Sequence, residues 1–262
     1  MERTEFFETA VQQGFYGNEK TSLWGKKDNV RRFWEDIFTK LLLRPAVAQL
    51  LKEEPRLRVV DLGCGSGEGL DLLRHIPLGA SPHEPSQNFL LNWPEIEIYD
   101  GVDLSSAMIL QGQTNYANRD NAQFPVGDLS QGFPLTDRPP YHLYLSTYAS
   151  LSHLTFPELE HLLCDIFKHA QEHAYVLIDV YGRWSPEWPV YWSASASKLE
   201  PYTMAYLYDQ RQLDRESVEW FKVSYWTAAE LESAVRRAAE KAGVRVNVSA
   251  MKDRSILVGR RS

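Results

Sequence analysis

One short stretch of the chain constrains the fold more than any other feature. Residues 59–70 read VVDLGCGSGEGL, so that two β-branched residues and an acid precede three glycines at alternate positions, Gly63, Gly65 and Gly67. A glycine turn between a strand and a helix lets the backbone approach a ligand closely, because no Cβ atom stands between them. The stretch therefore predicts a βα unit that binds a ligand at its turn.

Predicted strands and helices alternate on both sides of this turn. Five apolar segments predict strands at residues 57–63, 96–104, 122–129, 141–147 and 174–182, and helical patterns follow the first, second and fourth of them. Such alternation is typical of a parallel sheet covered by helices on both faces. Residues 244–250 and 255–261 predict two closing strands. We therefore expect the α/β class, with a doubly wound, mostly parallel seven-stranded sheet.

Changes of composition divide the chain into four segments. After the fifth strand the βα alternation breaks, and a stretch rich in tryptophan and tyrosine follows, which is typical of an insertion. The expected segments are a helical N-terminal lid at residues 1–55, the core at 56–182, an aromatic-rich inserted substrate cap at 183–226, and the C-terminal part of the core at 227–262.

Proline and capping residues predict where helices begin and end. The apolar pattern of residues 30–51 is interrupted at Pro45, which cannot continue a helix without a kink, so two short helices are expected there. In the C-terminal segment, Thr227 and Glu230 form a capping box, and Gly243 is a helix stop.

Charge and composition argue against several classes of function. The 262 residues carry a formal net charge of −7, which provides no basic surface for a phosphate backbone, so a nucleic-acid partner is not expected. The acidic N-terminus lacks the pattern of a signal peptide, and no uncharged run approaches the ~18 residues of a membrane span. We expect a cytoplasmic protein with no membrane partner, in which Cys64 and Cys164 are free thiols.

The residues around the glycine turn distinguish between two classes of cofactor. A dinucleotide-binding turn needs its third glycine at position 68, where this chain has Glu68, and a carboxylate there would oppose a pyrophosphate. An acid just before the turn suits an ammonium group instead. Here the sequence resembles the class I S-adenosylmethionine-dependent methyltransferases, because residues 61–67 match their first motif, Asp/Glu-x-Gly-x-Gly-x-Gly. The resemblance covers residues 57–262 apart from the cap, and it implies a Rossmann-like fold with S-adenosylmethionine as cofactor.

The same resemblance implies roles for residues after later strands. The sequence GVDLSSAM at 101–108 resembles the second-strand motif, so Asp103 would accept hydrogen bonds from the ribose hydroxyls, with Asp100 as the alternative. The sequence VGDL at 126–129 resembles the third motif, in which Asp128 would bind the adenine amino group. The implied cofactor-binding residues are Asp61, Gly63, Cys64, Gly65, Gly67, Asp103, Leu104, Met108, Gly127, Asp128, Leu129 and Ser146.

Candidate catalytic residues follow the fourth strand, where LSTYASLSHL at 145–154 resembles the corresponding motif of small-molecule methyltransferases. His153 is the first candidate for a general base because its intrinsic pKa suits proton transfer near neutral pH, and Tyr148 is the second. No metal is expected, since Ser146, Thr147 and Ser150 stand where metal-dependent relatives need carboxylates. Substrate-binding candidates are Tyr16, Trp24, Arg183, Trp184 and Trp188. For each aromatic candidate a place in an ordinary core is the more common role, and for Arg183 a place on the exposed surface.

Together these features predict methyl transfer from S-adenosylmethionine to an oxygen or nitrogen of a small-molecule metabolite. The sequence leaves open two alternatives, which are a methyltransferase for RNA or protein and a non-catalytic S-adenosylmethionine-binding protein. A nicotinamide-dependent oxidoreductase ranks last because of Glu68.

Overall fold

A computed structural model describes residues 5–12, 29–78, 88–183, 199–202, 221–251 and 256–261. The helices are α1 (Glu5–Gln12), α2 (Asn29–Glu53), α3 (Glu68–Arg74), α4 (Ser106–Asn115), α5 (Phe156–His169) and α6 (Ala228–Ala242). The strands are β1 (Leu57–Leu62), β2 (Ile96–Val102), β3 (Ala122–Gln123), β4 (Leu143–Ser146), β5 (Tyr175–Ile178), β6 (Leu199–Tyr202), β7 (Phe221–Ser224), β8 (Val246–Met251) and β9 (Ile256–Arg261). Within these residues no helix is long and apolar enough to cross a membrane.

The main sheet has the strand order β3-β2-β1-β4-β5-β9-β8. The pairs from β3 to β5 are all parallel, whereas β9 is antiparallel to both β5 and β8. The chain moves outward from β1 to β3 and then returns to the other side of β1 with β4, which places a topological switch point between β1 and β4. The parallel strands confirm the predicted α/β, doubly wound architecture.

Helices bury both faces of this sheet. Successive residues of a strand point to opposite faces, and accordingly Val59 packs with apolar residues of α2 and α3, whereas Val60 packs with those of α5 and α6. Both valines are fully buried. Trp226, which lies just after β7, belongs to the cluster around α5 and α6, where its ring stacks on that of Phe156 with centroids 3.7 Å apart.

Two predicted elements differ in the structure. Residues 29–53 form one helix with Pro45 inside it, so the prediction of two short helices was wrong. Pro45 and Leu41, whose carbonyl lost its hydrogen-bond partner, are both exposed, so water can solvate that carbonyl. The third strand spans Ala122–Gln123 rather than 122–129, because Pro125 has no N–H to continue the ladder.

The predicted ends of α6 are confirmed. Thr227 and Glu230 form a capping box, and Gly243 ends the helix in a left-handed conformation with φ 70°. Within residues 183–226, β6 and β7 pair antiparallel in a separate two-stranded sheet. Cys64 and Cys164 are both free and buried, as predicted.

Candidate functional site

The glycine turn follows β1 at the carboxyl edge of the sheet. Gly63, Gly65 and Gly67 have φ values of 74°, 56° and 99°, a left-handed conformation that residues with a Cβ rarely adopt. The backbone N–H groups of Gly63 and Cys64 both donate to the carbonyl of Val102, at 2.8 and 3.0 Å. The turn is therefore hydrogen-bonded to the end of β2. We call the backbone of residues 63–67 the cradle.

Glu68, the first residue of α3, is hydrogen-bonded to the glycine turn through Ser66. Its two carboxylate oxygens accept hydrogen bonds from the backbone N–H and the hydroxyl of Ser66, at 3.0 and 3.1 Å. A Cβ atom at Gly65 would lie 2.9 Å from this carboxylate. Glu68 thus places a buried acid at the position where a dinucleotide-binding turn has its third glycine.

Asp61, at the end of β1, is fully buried against the turn. Its Oδ2 accepts a hydrogen bond from the Tyr99 hydroxyl at 2.7 Å, while its Oδ1 has no hydrogen-bond partner within the described residues. Burial raises the pKa of Asp61, the Tyr99 hydrogen bond lowers it, and the nearby carboxylates of Glu68 and Asp103 raise it. The net pKa is about 7. This buried oxygen is suited to a positively charged donor.

Asp103 follows β2 and reaches the same turn. Its carboxylate accepts hydrogen bonds from the backbone N–H groups of Gly65 and Ser105, at 3.0 and 2.9 Å. Burial raises its pKa. Asp100, the alternative for this role, lies inside β2 and accepts a hydrogen bond from the Tyr141 hydroxyl at 2.6 Å instead. Of the two acids, only Asp103 contacts the glycine turn in the structure.

Residues after β3 border the cradle on its other side. The backbone N–H of Gly127 donates to the carbonyl of Asp103 at 3.0 Å. Asp128 begins a short 3₁₀ turn by accepting a hydrogen bond from the Ser130 N–H at 2.9 Å. The neighbouring Val126 is 55% exposed, so this edge presents an apolar side chain to solvent beside a carboxylate.

Several other predicted cofactor-binding residues have buried side chains. The Cys64 thiol, whose pKa is raised by burial, donates to the carbonyl of Gly65 beneath the turn. Met108 and Leu129 are buried, and Leu104 is partly exposed. The Ser146 hydroxyl donates to the carbonyl of Leu62 at 2.8 Å, which joins the ends of β1 and β4. The side chains of Cys64 and Ser146 are thus hydrogen-bonded to the backbone of the turn and of β1.

The segment after β4 is strained. Tyr148 and Ala149 have φ values of 57° and 59°, an uncommon conformation for consecutive residues other than glycine. The Tyr148 hydroxyl donates to Oδ1 of Asp36 on α2 at 2.6 Å. The Ser150 hydroxyl donates to the carbonyl of Gly63 at 2.8 Å. This strained segment is therefore hydrogen-bonded both to α2 and to the glycine turn.

The remaining predicted residues divide into those that the structure describes and those outside it. His153 ends a 3₁₀ turn after β4 and contacts the ring of Phe7 on α1 edge-on, with centroids 5.8 Å apart. Arg183 follows β5, and its backbone N–H donates to the carbonyl of Trp226 at 2.8 Å. The predicted substrate-binding residues that lie outside the described residues are Tyr16, Trp24, Trp184 and Trp188.

Two residues at the site were not predicted from the sequence. Tyr99 holds Asp61 from β2, and Asp36 holds Tyr148 from α2. The apolar pattern of β2 predicts that Tyr99 is buried, but nothing local to either residue indicates its distant partner.

Comparison with known proteins identifies the fold. No family model matches the chain, and no curated protein matches it. A chain from the complex between the Haloferax volcanii Trm112 methyltransferase activator and a methyltransferase is similar over 100% of this chain and 98% of its own, with TM-score 0.57 and 18% identity. This chain has the fold of S-adenosylmethionine-dependent methyltransferases.

Two further structures of this methyltransferase fold are similar. An S-adenosylmethionine-dependent methyltransferase from Clostridium acetobutylicum covers 83% of this chain and 89% of its own, with TM-score 0.53 and 12% identity. CalS10, an amino pentose methyltransferase from Micromonospora echinaspora, covers 84% and 89%, with TM-score 0.50 and 14% identity. At these identities the similarity establishes the fold alone, since one fold supports many functions.

Proposed function

We propose that this protein is an S-adenosylmethionine-dependent methyltransferase that acts on an oxygen or nitrogen atom of a small molecule, without a metal. The observation that carries the proposal is Asp61, a buried carboxylate beside the glycine turn with one oxygen that lacks a partner in the described part of the chain. The methyltransferase fold of similar structures supports the same reading.

The described residues fit the amino-acid end of S-adenosylmethionine. That end carries an ammonium group, for which the buried Oδ1 of Asp61 is a suitable acceptor. The left-handed glycines have no Cβ atom, so a ligand can contact the backbone of the turn directly. Glu68 keeps negative charge at the turn, which favours a cationic ligand over a pyrophosphate.

The nucleoside end is proposed to lie along the ends of β2 and β3. Asp103 would accept hydrogen bonds from the ribose hydroxyls, and Asp128 would bind the adenine amino group. Both acids lie at the carboxyl edge of the sheet, the place where doubly wound folds bind ligands. The partly exposed Leu104 and the exposed Val126 offer apolar surface beside them.

When bound, S-adenosylmethionine supplies a methyl group on a positively charged sulfur. In-line transfer depends on alignment and on the exclusion of water, so the residues around the acceptor matter most. We assign His153 as the base that removes a proton from the acceptor atom. Tyr148, held by Asp36, would orient that acceptor.

The substrate is proposed to bind between the carboxyl edge of the sheet and a lid. Helix α1 lies against α4, and its Phe7 contacts His153, which supports a lid role for the N-terminal segment. The aromatic cap at residues 183–226 would cover the substrate from the other side. The net charge of −7 favours a small molecule over RNA.

The substrate class has a specific alternative. CalS10 is an amino pentose methyltransferase, which supports a small-molecule acceptor for this fold. The Haloferax volcanii chain forms a complex with a methyltransferase activator, which leaves a macromolecular acceptor as the alternative.

The proposal can be tested with S-adenosylmethionine that carries an isotopic label on its methyl group. The full chain is incubated separately with a metabolite extract, total RNA and a protein lysate. We expect label in the metabolite fraction and its loss with Asp61→Ala. Label in RNA or protein alone would replace the proposed substrate class. Binding of S-adenosylhomocysteine without transfer to any fraction would favour a non-catalytic binding protein.

A further inference from the structure

Among the described residues, the side chain of Tyr99 holds the carboxylate of Asp61. Tyr99 is completely buried on β2, and its hydroxyl donates to Oδ2 of Asp61 at 2.7 Å. Its ring packs against that of Phe124, with centroids 5.8 Å apart. Burial raises the pKa of Tyr99, so the hydroxyl keeps its proton and remains a donor. The orientation of the Asp61 carboxylate therefore depends on Tyr99.

The two oxygens of Asp61 have different surroundings. Oδ2 is occupied by Tyr99, whereas Oδ1 is buried without a hydrogen-bond partner in the described ranges. A Cβ atom at Gly69 would collide with Oδ2, so the glycine at this position in α3 provides the space for the carboxylate. A buried acceptor without a partner is costly, and a donor from a ligand would remove that cost.

We propose that Tyr99 is a positioning residue for cofactor binding, which holds one oxygen of Asp61 and leaves the other to accept the ammonium group of the cofactor. This inference rests on the proposed function. The hydroxyl of Tyr99 also stabilises the ionised carboxylate, which is the form that binds an ammonium group well. Tyr99 thereby sets the pH at which the cofactor binds.

The groups that face Asp61 determine the sign of this effect. Burial raises its pKa, the Tyr99 hydrogen bond lowers it, and the charges of Glu68 and Asp103 raise it, which together give a pKa of about 7. Cys64, in the turn, has a raised pKa and stays neutral. Cofactor affinity is therefore expected to fall as the pH drops through the pKa of Asp61. Removal of the Tyr99 hydroxyl raises that pKa, so the fall should begin at a higher pH.

The test is calorimetric titration of the full chain with S-adenosylhomocysteine from about pH 5.5 to about pH 8.5, a range that spans the shifted carboxyl. Tyr99→Phe is compared with the matched control Tyr141→Phe, which removes the same atom from the buried pair of Tyr141 and Asp100. A hydrogen bond to a charged group is worth tenfold or more, so we expect Tyr99→Phe to raise the pH midpoint of binding by about one unit. Tyr141→Phe should leave the midpoint unchanged.

Different results would overturn different claims. Equal midpoints for wild type and Tyr99→Phe, or equal shifts in both variants, would overturn this inference while leaving cofactor binding intact. Absence of binding at every pH in the wild type would overturn the proposed function and this inference with it. Asp61→Asn gives an independent measurement if Tyr99→Phe does not fold, since it should bind more weakly and with no pH midpoint. A midpoint retained in Asp61→Asn would also overturn the inference.

Discussion

Two pairs of buried tyrosine and aspartate lie on opposite faces of β2. Tyr99 donates to Asp61 on the face covered by α3, and Tyr141 donates to Asp100 on the face covered by α5, at 2.7 and 2.6 Å. In each pair, one carboxylate oxygen has no partner among the residues that the structure describes, and burial raises the pKa of the aspartate. The local chemistry of the two pairs is therefore nearly the same.

The surroundings of the two pairs differ. Asp100 lies two residues before the end of β2 and faces the layer covered by α5, where its partner Tyr141 packs with the aromatic rings of Phe133, Tyr144 and His169. Asp61 lies at the carboxyl end of its strand, against a turn of left-handed glycines. A buried carboxylate with an orphaned oxygen is therefore not enough to indicate a binding site. What distinguishes Asp61 is the face of the sheet that it occupies, because it lies beside the glycine turn and α3, whereas Asp100 faces the aromatic layer under α5.

The largest expected effect is on stability. At pH 8, Asp61→Asn should stabilise the ligand-free protein by about 4 kcal/mol, because the folded-state pKa of Asp61 is raised from 3.8 to about 7. For an acid with a raised pKa, stability is complete below the unfolded-state pKa and is lost as pH rises to the folded-state pKa. The gain should therefore shrink to below about 2 kcal/mol at pH 5. Urea unfolding at both pH values measures the change in the free energy of unfolding. Destabilisation by Asp61→Asn at pH 8 would contradict a raised pKa for Asp61.

The next effect is on turnover. His153→Ala should lower kcat by about 100-fold, because a general base contributes at least this factor, with cofactor affinity nearly unchanged. The control is His169→Gln, because His169 packs beside the pair of Tyr141 and Asp100 on the opposite face of the sheet. His169 donates from Nε2 to the carbonyl of Arg138 and accepts the Tyr144 hydroxyl at Nδ1, which is a structural role. The control should lose stability and keep kcat. An unchanged kcat in His153→Ala, measured with the identified acceptor, would remove His153 as the base.

The next comparison is between alanine substitutions at two left-handed glycines, Gly67 in the turn and Gly243 at the end of α6. A Cβ at Gly67 would lie 2.5 Å from the ring of Tyr116, whereas a Cβ at Gly243 would have no atom within 4 Å. Gly67→Ala should weaken S-adenosylhomocysteine binding about 30-fold, since strain of this kind costs a few kcal/mol. Gly243→Ala should leave binding unchanged and lower the free energy of unfolding by about 1 kcal/mol. Equal effects on binding would show that the turn is not the site.

The smallest effect distinguishes the two candidate acids of β2. Asp103→Asn should weaken S-adenosylhomocysteine binding about tenfold, because it removes charged acceptors from the edge of the turn. Asp100→Asn should change binding by less than about threefold, since Asp100 faces the opposite layer. The reverse ranking, measured by calorimetry, would place the ribose at Asp100.

Local signals made the fold and the turn predictable. The alternation of apolar segments with helical patterns and the spacing of the glycines after Asp61 depend on neighbouring residues alone. The two helices expected around Pro45 were wrong for a related reason. The sequence shows that Pro45 removes the hydrogen bond to the carbonyl of Leu41. It does not show that Leu41 is exposed, so that water can replace the missing donor.

Contacts between distant residues could not be predicted. Tyr99 and Asp61 are 38 positions apart, and Tyr148 and Asp36 are 112 apart. The period of β2 predicts that Tyr99 is buried, but the partner of its hydroxyl depends on how β1 and β2 pair and on the space that Gly69 leaves. Side chains that organise a site from neighbouring strands are thus the part of the site that sequence patterns do not specify.

The most direct test of the central claim is calorimetric titration of the wild-type chain with S-adenosylhomocysteine, with NAD as the comparison ligand, near pH 8 where Asp61 is ionised. We expect S-adenosylhomocysteine to bind with a Kd in the range of about 1 to 100 μM and NAD not to bind. Binding of NAD alone would overturn the proposed cofactor, because it would mean that the turn with Glu68 accepts a pyrophosphate.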